Sequence, residues 1–179
     1  LLPFAWFAWR GPSRGSFTRS PVLMAVGGGI LVLGASQLFV VASSDGLAVA
    51  YLAQRRGIPR WDADRLRWHP ACPWKGGTAG CIVACVNDHV TACTTAIWRI
   101  KPVMEGPVER LGLGPVKGNA ARLFWANGPE LAIAEGIEDA LAFHELTGLP
   151  TWAALSAGNM AELILPERFR RIVIVQDAD

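Results

Sequence analysis

Charge is scarce in this sequence. Of its 179 residues only 18% are charged, and the formal net charge is +2. So small a balance gives no argument from composition for nucleic-acid binding, which needs a local basic patch rather than a favourable total. Histidine is scarcer still: His69, His89 and His144 are the only three. None has the neighbours of a catalytic triad, so all three read as structural or surface side chains. No internal repeat is visible, which sets solenoids and propellers aside. Tyrosine occurs once, at Tyr51, against eight tryptophans.

What the chain does have is apolar residues, 51% of the total. The length suits one domain, or one domain and a fragment of another. The chain starts on Leu1 and stops on Asp179 directly after a strand-like run, so both ends read as cut and a fragment is expected. The four cysteines, Cys72, Cys81, Cys85 and Cys93, fall close together and near His69. Structural zinc sites show two tight ligand pairs joined by a loop. Cys81 and Cys85 lie instead in "CIVACVNDHVTACTTAIW", which reads as a hairpin. Four residues apart on a strand, they would stand about 13 Å from each other, too far to share an ion. Buried, reduced cysteines of a cytosolic protein are expected, and zinc is not.

Three segments can be told apart. Residues 1–43 are a hydrophobic segment whose fold is uncertain. Within it and just beyond, "SPVLMAVGGGILVLGASQLFVVASS", residues 20–44, holds no charge and follows Arg10, Arg14 and Arg19. About 20 apolar residues suffice to span a bilayer, so a single-pass anchor is one reading; a buried core segment and an out-of-frame stretch are the others. Residues 44–128 form an α+β region. A short helix is expected in "DGLAVAYLAQRRGI", an irregular stretch in "PRWDADRLRWHPACPWKGG", and a hairpin turning at Asn87-Asp88-His89. A glycine-rich loop then leads to a short strand near Ala121–Trp125, and Asn127-Gly128-Pro129 marks a turn.

Residues 129–179 carry the clearest pattern. "ELAIAEG" predicts a strand over Leu131–Ala134, and a helix follows over Ile137–Thr147, closed by Gly148 and Pro150. "TWAALSAG" is a second strand, "NMAELIL" a short helix and "RIVIVQ" a third strand. The β-branched run Ile172–Val175 reads as a strand buried on both faces. Strand, helix, strand, helix, strand at this spacing predicts a parallel, Rossmann-like α/β sheet. Working residues of such sheets sit at the carboxyl ends of the strands, where Glu135, Asp177 and Asp179 fall. Gly136 is expected to allow a sharp turn from strand into helix. Two aspartates two apart can point the same way, and crowded carboxylates call for a cation.

"LAIAEGIEDALA" and "IVIVQDAD" together resemble the Toprim domain of bacterial primases, topoisomerases and some nucleases. With "YLAQRRGI", "LRWHPACP", "LGPVKGNAARL" and "WAALSAGNMAELILP", the chain from Ser44 to Asp179 resembles the Toprim-containing primase/helicase proteins of phages, plasmids and integrated elements. The resemblance implies a partial Toprim fold and Mg²⁺-dependent nucleotidyl or phosphoryl transfer of the DNA-primase type, in replication of a mobile element. It implies that Glu135 is the general acid/base and a metal ligand, that Asp177 and Asp179 bind Mg²⁺ (or Mn²⁺), and that Asp139 is an acidic support. A Toprim nuclease, or a degenerate non-catalytic fragment, are the alternatives.

The chemistry is coherent with the residues, since oxygen ligands suit a hard cation that positions phosphates. Partners would be nucleic acid and NTPs, with a replicative helicase as a further one. Phosphates are met by Lys and Arg, for which Lys117, Arg122, Arg99 and Lys101 are the candidates. A cytoplasmic location is expected, with membrane attachment only through residues 20–44.

Overall fold

A computed structural model of the protein describes residues 23–26 and 29–32 through their backbone, and residues 46–62 and 64–176 in full. Asp177 and Asp179 therefore lie outside the described residues. Strands β1 (Leu23–Val26) and β2 (Gly29–Val32) pair antiparallel, Leu23 opposite Val32 and Val26 opposite Gly29. The described part of the uncharged stretch is thus a strand pair rather than a helix, as suits short apolar runs set off by glycines. No helix among the described residues is long and apolar enough to cross a membrane.

Eight strands make one sheet. Helix α1 (Gly46–Val49) continues as a π-helical segment, Ala50–Arg55, and is followed by β3 (Leu66–Trp74), β4 (Gly77–Asn87), β5 (Thr94–Lys101), β6 (Glu109–Leu113) and β7 (Ala120–Ala121). Then come β8 (Glu130–Ala134), α2 (Ile137–Thr147), β9 (Thr151–Ala153), α3 (Ala157–Glu162) and β10 (Arg171–Val175). The order across the sheet is β10-β8-β9-β7-β4-β5-β6, with β3 also paired to β4. The strands from β3 to β7 pair antiparallel, whereas β8 is parallel to both β9 and β10. The three strands expected to be parallel neighbours are so, and the fold is mixed α/β.

The sheet is apolar on both sides, and alternation sorts the side chains. Ala134 of β8, Ala153 of β9, and Ile82, Ala84 and Val86 of β4 face the helices, in a core with Tyr51, Leu52, Ile137, Ala140 and Leu141. Leu131, Ile133 and Trp152 face the other way, under Met160 of α3 and Leu163 and Phe169 of the loop that follows it. At the antiparallel end Cys72, Trp74, Cys81, Val83 and Ile97 form a third cluster. Burying such rows is what holds the sheet, at about 1.5–3 kcal/mol for each large aliphatic side chain.

Three sequence readings need correction. "LRWHPACPW" is a strand, not an irregular stretch, despite Pro70 and Pro73; the register slips between His69 and Cys72, and a bulge on a strand with one free edge accommodates prolines. The Lys75-Gly76 turn that closes this hairpin has both residues left-handed, φ 39° and 85°, the geometry that suits the twist of two-residue hairpins. The strand expected over Ala121–Trp125 is only Ala120–Ala121, and Trp125 is 62% exposed. Strand β10 is half-buried on one face and exposed on the other. Val175 packs on the helix-side core, while Ile172 and Ile174 are 38% and 57% exposed. Among the described residues β10 pairs only with β8 and no element covers its second face.

Candidate active site

The carboxyl ends of β8 and β9 meet the start of α2. Backbone hydrogen bonds stitch the two exits together: Ala154 N–H donates to Ala134 O at 2.8 Å and Leu155 N–H to Glu135 O at 2.7 Å. Leu155 is buried with φ 76°. A branched residue held left-handed costs of order 1–3 kcal/mol, which surrounding packing must sustain. Gly136 caps α2 with φ −96° and ψ 162°, an extended conformation open to any residue. A Cβ there would meet the Asp139 carboxylate folded over the helix start, and that side chain would have to turn aside. Glu138 and Asp139, in the first turn, also suit the positive end of the helix dipole.

A cleft of about 200 Å³ opens at this point, between Glu135, Asp139 and Leu155 on one side and Arg56, Trp98 and Arg110 on the other. Glu135 is exposed and Asp139 half-buried. Glu138 is only 3% exposed and forms the floor. Its Oε1 accepts from Tyr51 Oη at 2.6 Å and from Arg110 Nη2 at 2.6 Å, with Arg56 Nη2 at 3.9 Å. Burial alone would push the Glu138 carboxyl up, but the Tyr51 hydroxyl and the Arg110 charge outweigh it and hold the group below the usual carboxylate range. Burial and the same carboxylate raise the Tyr51 hydroxyl well above its ordinary value. Arg110 is raised as well, Glu138 overcoming the effect of burial.

Sequence reasoning named Asp139 and missed Glu138, Arg110, Arg56 and Tyr51. Glu138 did carry a signal, since it sits beside Ile137 and one turn from Leu141, within the buried arc of the helix. Arg110 and Arg56 carried none.

The expected phosphate contacts lie elsewhere. Arg99 alternates with Trp98 and so points to the opposite face of β5. It is 5% exposed, and its guanidinium donates to the carbonyls of Pro73, Leu111 and Gly112 while lying over the Trp74 ring. These bonds tie β3 to β6 across the sheet. Lys101 shares that face, in register with Glu109. Lys117 is exposed and pairs with Glu162 at 3.4 Å. Arg122 donates to Asp88 O at 2.8 Å and to His89 O. The loop bearing Lys117 is nonetheless joined to the site's scaffold. Buried Asn159 of α3 accepts from Gly118 N–H and donates to the carbonyls of Asn119 and Ala154.

Among the described residues no three His, Cys, Asp or Glu side chains converge on one point. Cys72 and Cys81 are buried neighbours across β3 and β4, with free thiols. Cys85 and Cys93 are not part of that cluster. His144 is structural, its Nδ1 2.7 Å from Leu149 O and its ring stacked on Phe124.

Strands β8 and β9 with α2 between them form a parallel β-α-β unit with Glu135 at the exit of β8. The chain contains a Toprim domain at residues 130–179, where the family model of that description matches. Domains of this kind process nucleic acids with metal ions held by acidic residues. No curated protein and no solved structure matches the chain.

Proposed function

We propose that the protein is a Toprim primase-like enzyme that carries out Mg²⁺-dependent nucleotidyl transfer on nucleic acid, in replication of a mobile element. The observation that carries the catalytic part is the position of Glu135. It stands exposed in a cleft at the ends of β8 and β9, on a backbone held by Leu155. The register of β10 on β8 pairs Val175 with Ala134, so Gln176 follows level with Glu135. Asp177 and Asp179 follow in sequence, and with Glu135 they would hold the metal; three carboxylates are the hard oxygen donors that Mg²⁺ takes. When bound, the ion would offset phosphate charge and polarise the phosphoryl group.

The chain's own residues do the rest. Glu135 is the group placed to take or give a proton at the attacking hydroxyl. Arg56 and Arg110, across the cleft, face the space a phosphate would fill. Asp139 keeps the helix start negative and closes the space beside Gly136.

A melting experiment tests this reading. Metal that binds only the folded state, at about a hundred times its dissociation constant, adds about 2.7 kcal/mol. For a chain of this size that raises Tm by about 5–10 °C. Glu135→Gln and Asp177→Asn should each remove the gain, and the metal-free Asp177→Asn protein should be as stable as wild type or slightly more so. Equal gains in wild type and an Asp177→Asn, Asp179→Asn double variant would refute the metal site. Template extension against strand cleavage then separates a primase from a nuclease using the same carboxylates.

A further inference from the structure

The segment before the sheet is wound in an uncommon way. Ala50–Arg55 is π-helical, and it ends on a bond from Arg56 N–H to Tyr51 O, five residues back, at 3.1 Å. Such windings are rare and gather at functional sites. At about 3.6 residues per turn, residues five apart stand about 140° from each other around a helix axis. The wider π turn brings them toward one side, and here Tyr51 and Arg56 both reach Glu138, at 2.6 and 3.9 Å. The winding thus carries Arg56 to the cleft.

Arg56 also lines a second hollow, of about 360 Å³. It adjoins the cleft through Arg56, Glu138 and Asp139, which line both, and Arg55 and Ala142 complete it. Its wall is charged and carries no aromatic ring, so it suits a polar group rather than a base. Arg55 is already held by the carbonyls of Val103 and Gly106, each at 2.6 Å. Arg110 is held by Glu138, and the Asp139 charge favours it as well. Arg56 differs. Its side chain is 33% exposed, and its guanidinium makes no hydrogen bond among the described residues. Its ion pair is long and runs to a Glu138 oxygen that already accepts two bonds. A planar fork of donors left open between two hollows matches phosphate oxygens.

We propose that Arg56 grips the polyphosphate tail of a nucleoside triphosphate, with the nucleoside end in the cleft beside Glu135 and the outer phosphates in the second hollow. The proposal rests on the nucleotidyl-transfer reading above and adds to it a residue that reads the length of the phosphate chain. Glu135 and Asp139 would repel bare phosphates, so the nucleotide enters as its Mg²⁺ complex. A strand to be cut carries no such tail, and recognition of the tail therefore separates extension from cleavage.

The test is a displacement experiment on the full chain in Mg²⁺, followed by fluorescence anisotropy. ATP carrying a fluorescent group on its ribose is bound first, then displaced by ATP, AMP or inorganic tripolyphosphate. ATP should bind about tenfold more tightly than AMP, since its tail gains charge-assisted bonds, and tripolyphosphate should bind more weakly than ATP. Arg56→Gln should weaken ATP about tenfold and leave AMP unchanged, and Arg56→Lys, which keeps the charge but loses the fork, should fall between. Arg56→Gln should melt within about 3 °C of wild type, because a long, part-exposed ion pair contributes little. It should also keep the Mg²⁺ melting gain. Equal affinities for ATP and AMP, an Arg56→Gln loss shared by both, tripolyphosphate as tight as ATP, or no displacement at about 1 mM overturns the proposal. A melting gain without a preference for ATP sinks this inference alone, and a preference for ATP without a melting gain sinks the metal site alone.

Discussion

Replacing Glu138 should cost more than replacing any other acid of the domain, and the cost should depend on pH. Glu138 is buried, and its Oε1 receives Tyr51 and Arg110, both at 2.6 Å. Removing one partner of a buried ion pair leaves the other charge uncompensated, at about 3–5 kcal/mol. Glu138→Ala should therefore lower Tm by about 8–15 °C. In Glu138→Gln the amide oxygen still accepts both bonds, now as neutral ones. The loss is then about 1 kcal/mol for each bond, or about 2 kcal/mol in all. The sign of the pH effect follows from the depressed carboxyl. Its stabilisation is fully present above the unfolded value, near about 4.3, and is lost as pH falls through the lower folded value. Wild type and Glu138→Gln, followed by urea denaturation, should differ at pH 7, and the difference should shrink steadily as pH falls below about 4.3. A difference that stays constant to pH 3, or a Gln variant more stable than wild type at neutral pH, would refute the account.

Asn159→Ala should cost about 2–4 kcal/mol in a denaturant midpoint, since it leaves Gly118 N–H and the carbonyls of Asn119 and Ala154 buried without their partner. Gly148→Ala should cost about 1 kcal/mol in thermal melting, because the residue closes α2 with φ 70° and donates to His144 O. A thiol reagent should modify Cys93 well before Cys72 and Cys81, which are 1% and 0% exposed. Equal rates for all three would mean that the β3–β4 hairpin opens readily.

The parallel half of the fold was legible because its signals are local. "LAIAEG" and "TWAALSAG" are apolar runs stopped by glycine, and α2 begins and ends where Gly136 and Gly148 punctuate the chain. The antiparallel half was harder. Pro70 and Pro73 argued against a strand, and only the bulge between His69 and Cys72 makes room for them. Ile172 and Ile174 show that an apolar β-branched run does not reveal whether both its faces are covered. Glu135 could be picked out because it ends a strand. The Glu138 cluster could not, as Tyr51 and Glu138 stand 87 positions apart and Arg110 and Glu138 stand 28 apart. Contacts at that range leave no periodicity to read.

Three acids within one helical turn thus have three environments, and these divide their work. Glu138 is fixed as an anion beneath two arginines, so it has no proton to offer near neutral pH and serves as the counter-charge that seats Arg110 and Tyr51. Asp139 lies against the helix start, where the dipole favours its charge. Glu135 alone is exposed and precedes the helix, on a strand exit braced by the left-handed Leu155. A group that must meet a substrate needs that access, and a group that must orient others needs the burial. The arginines follow the same logic from across the cleft. Because Glu138 holds Arg110 from below, the guanidinium is already set, and under the proposed function a phosphate would find little ordering left to supply. The region before residue 129 thus supplies Tyr51, Arg56 and Arg110 to Glu138, on the floor of the candidate cleft.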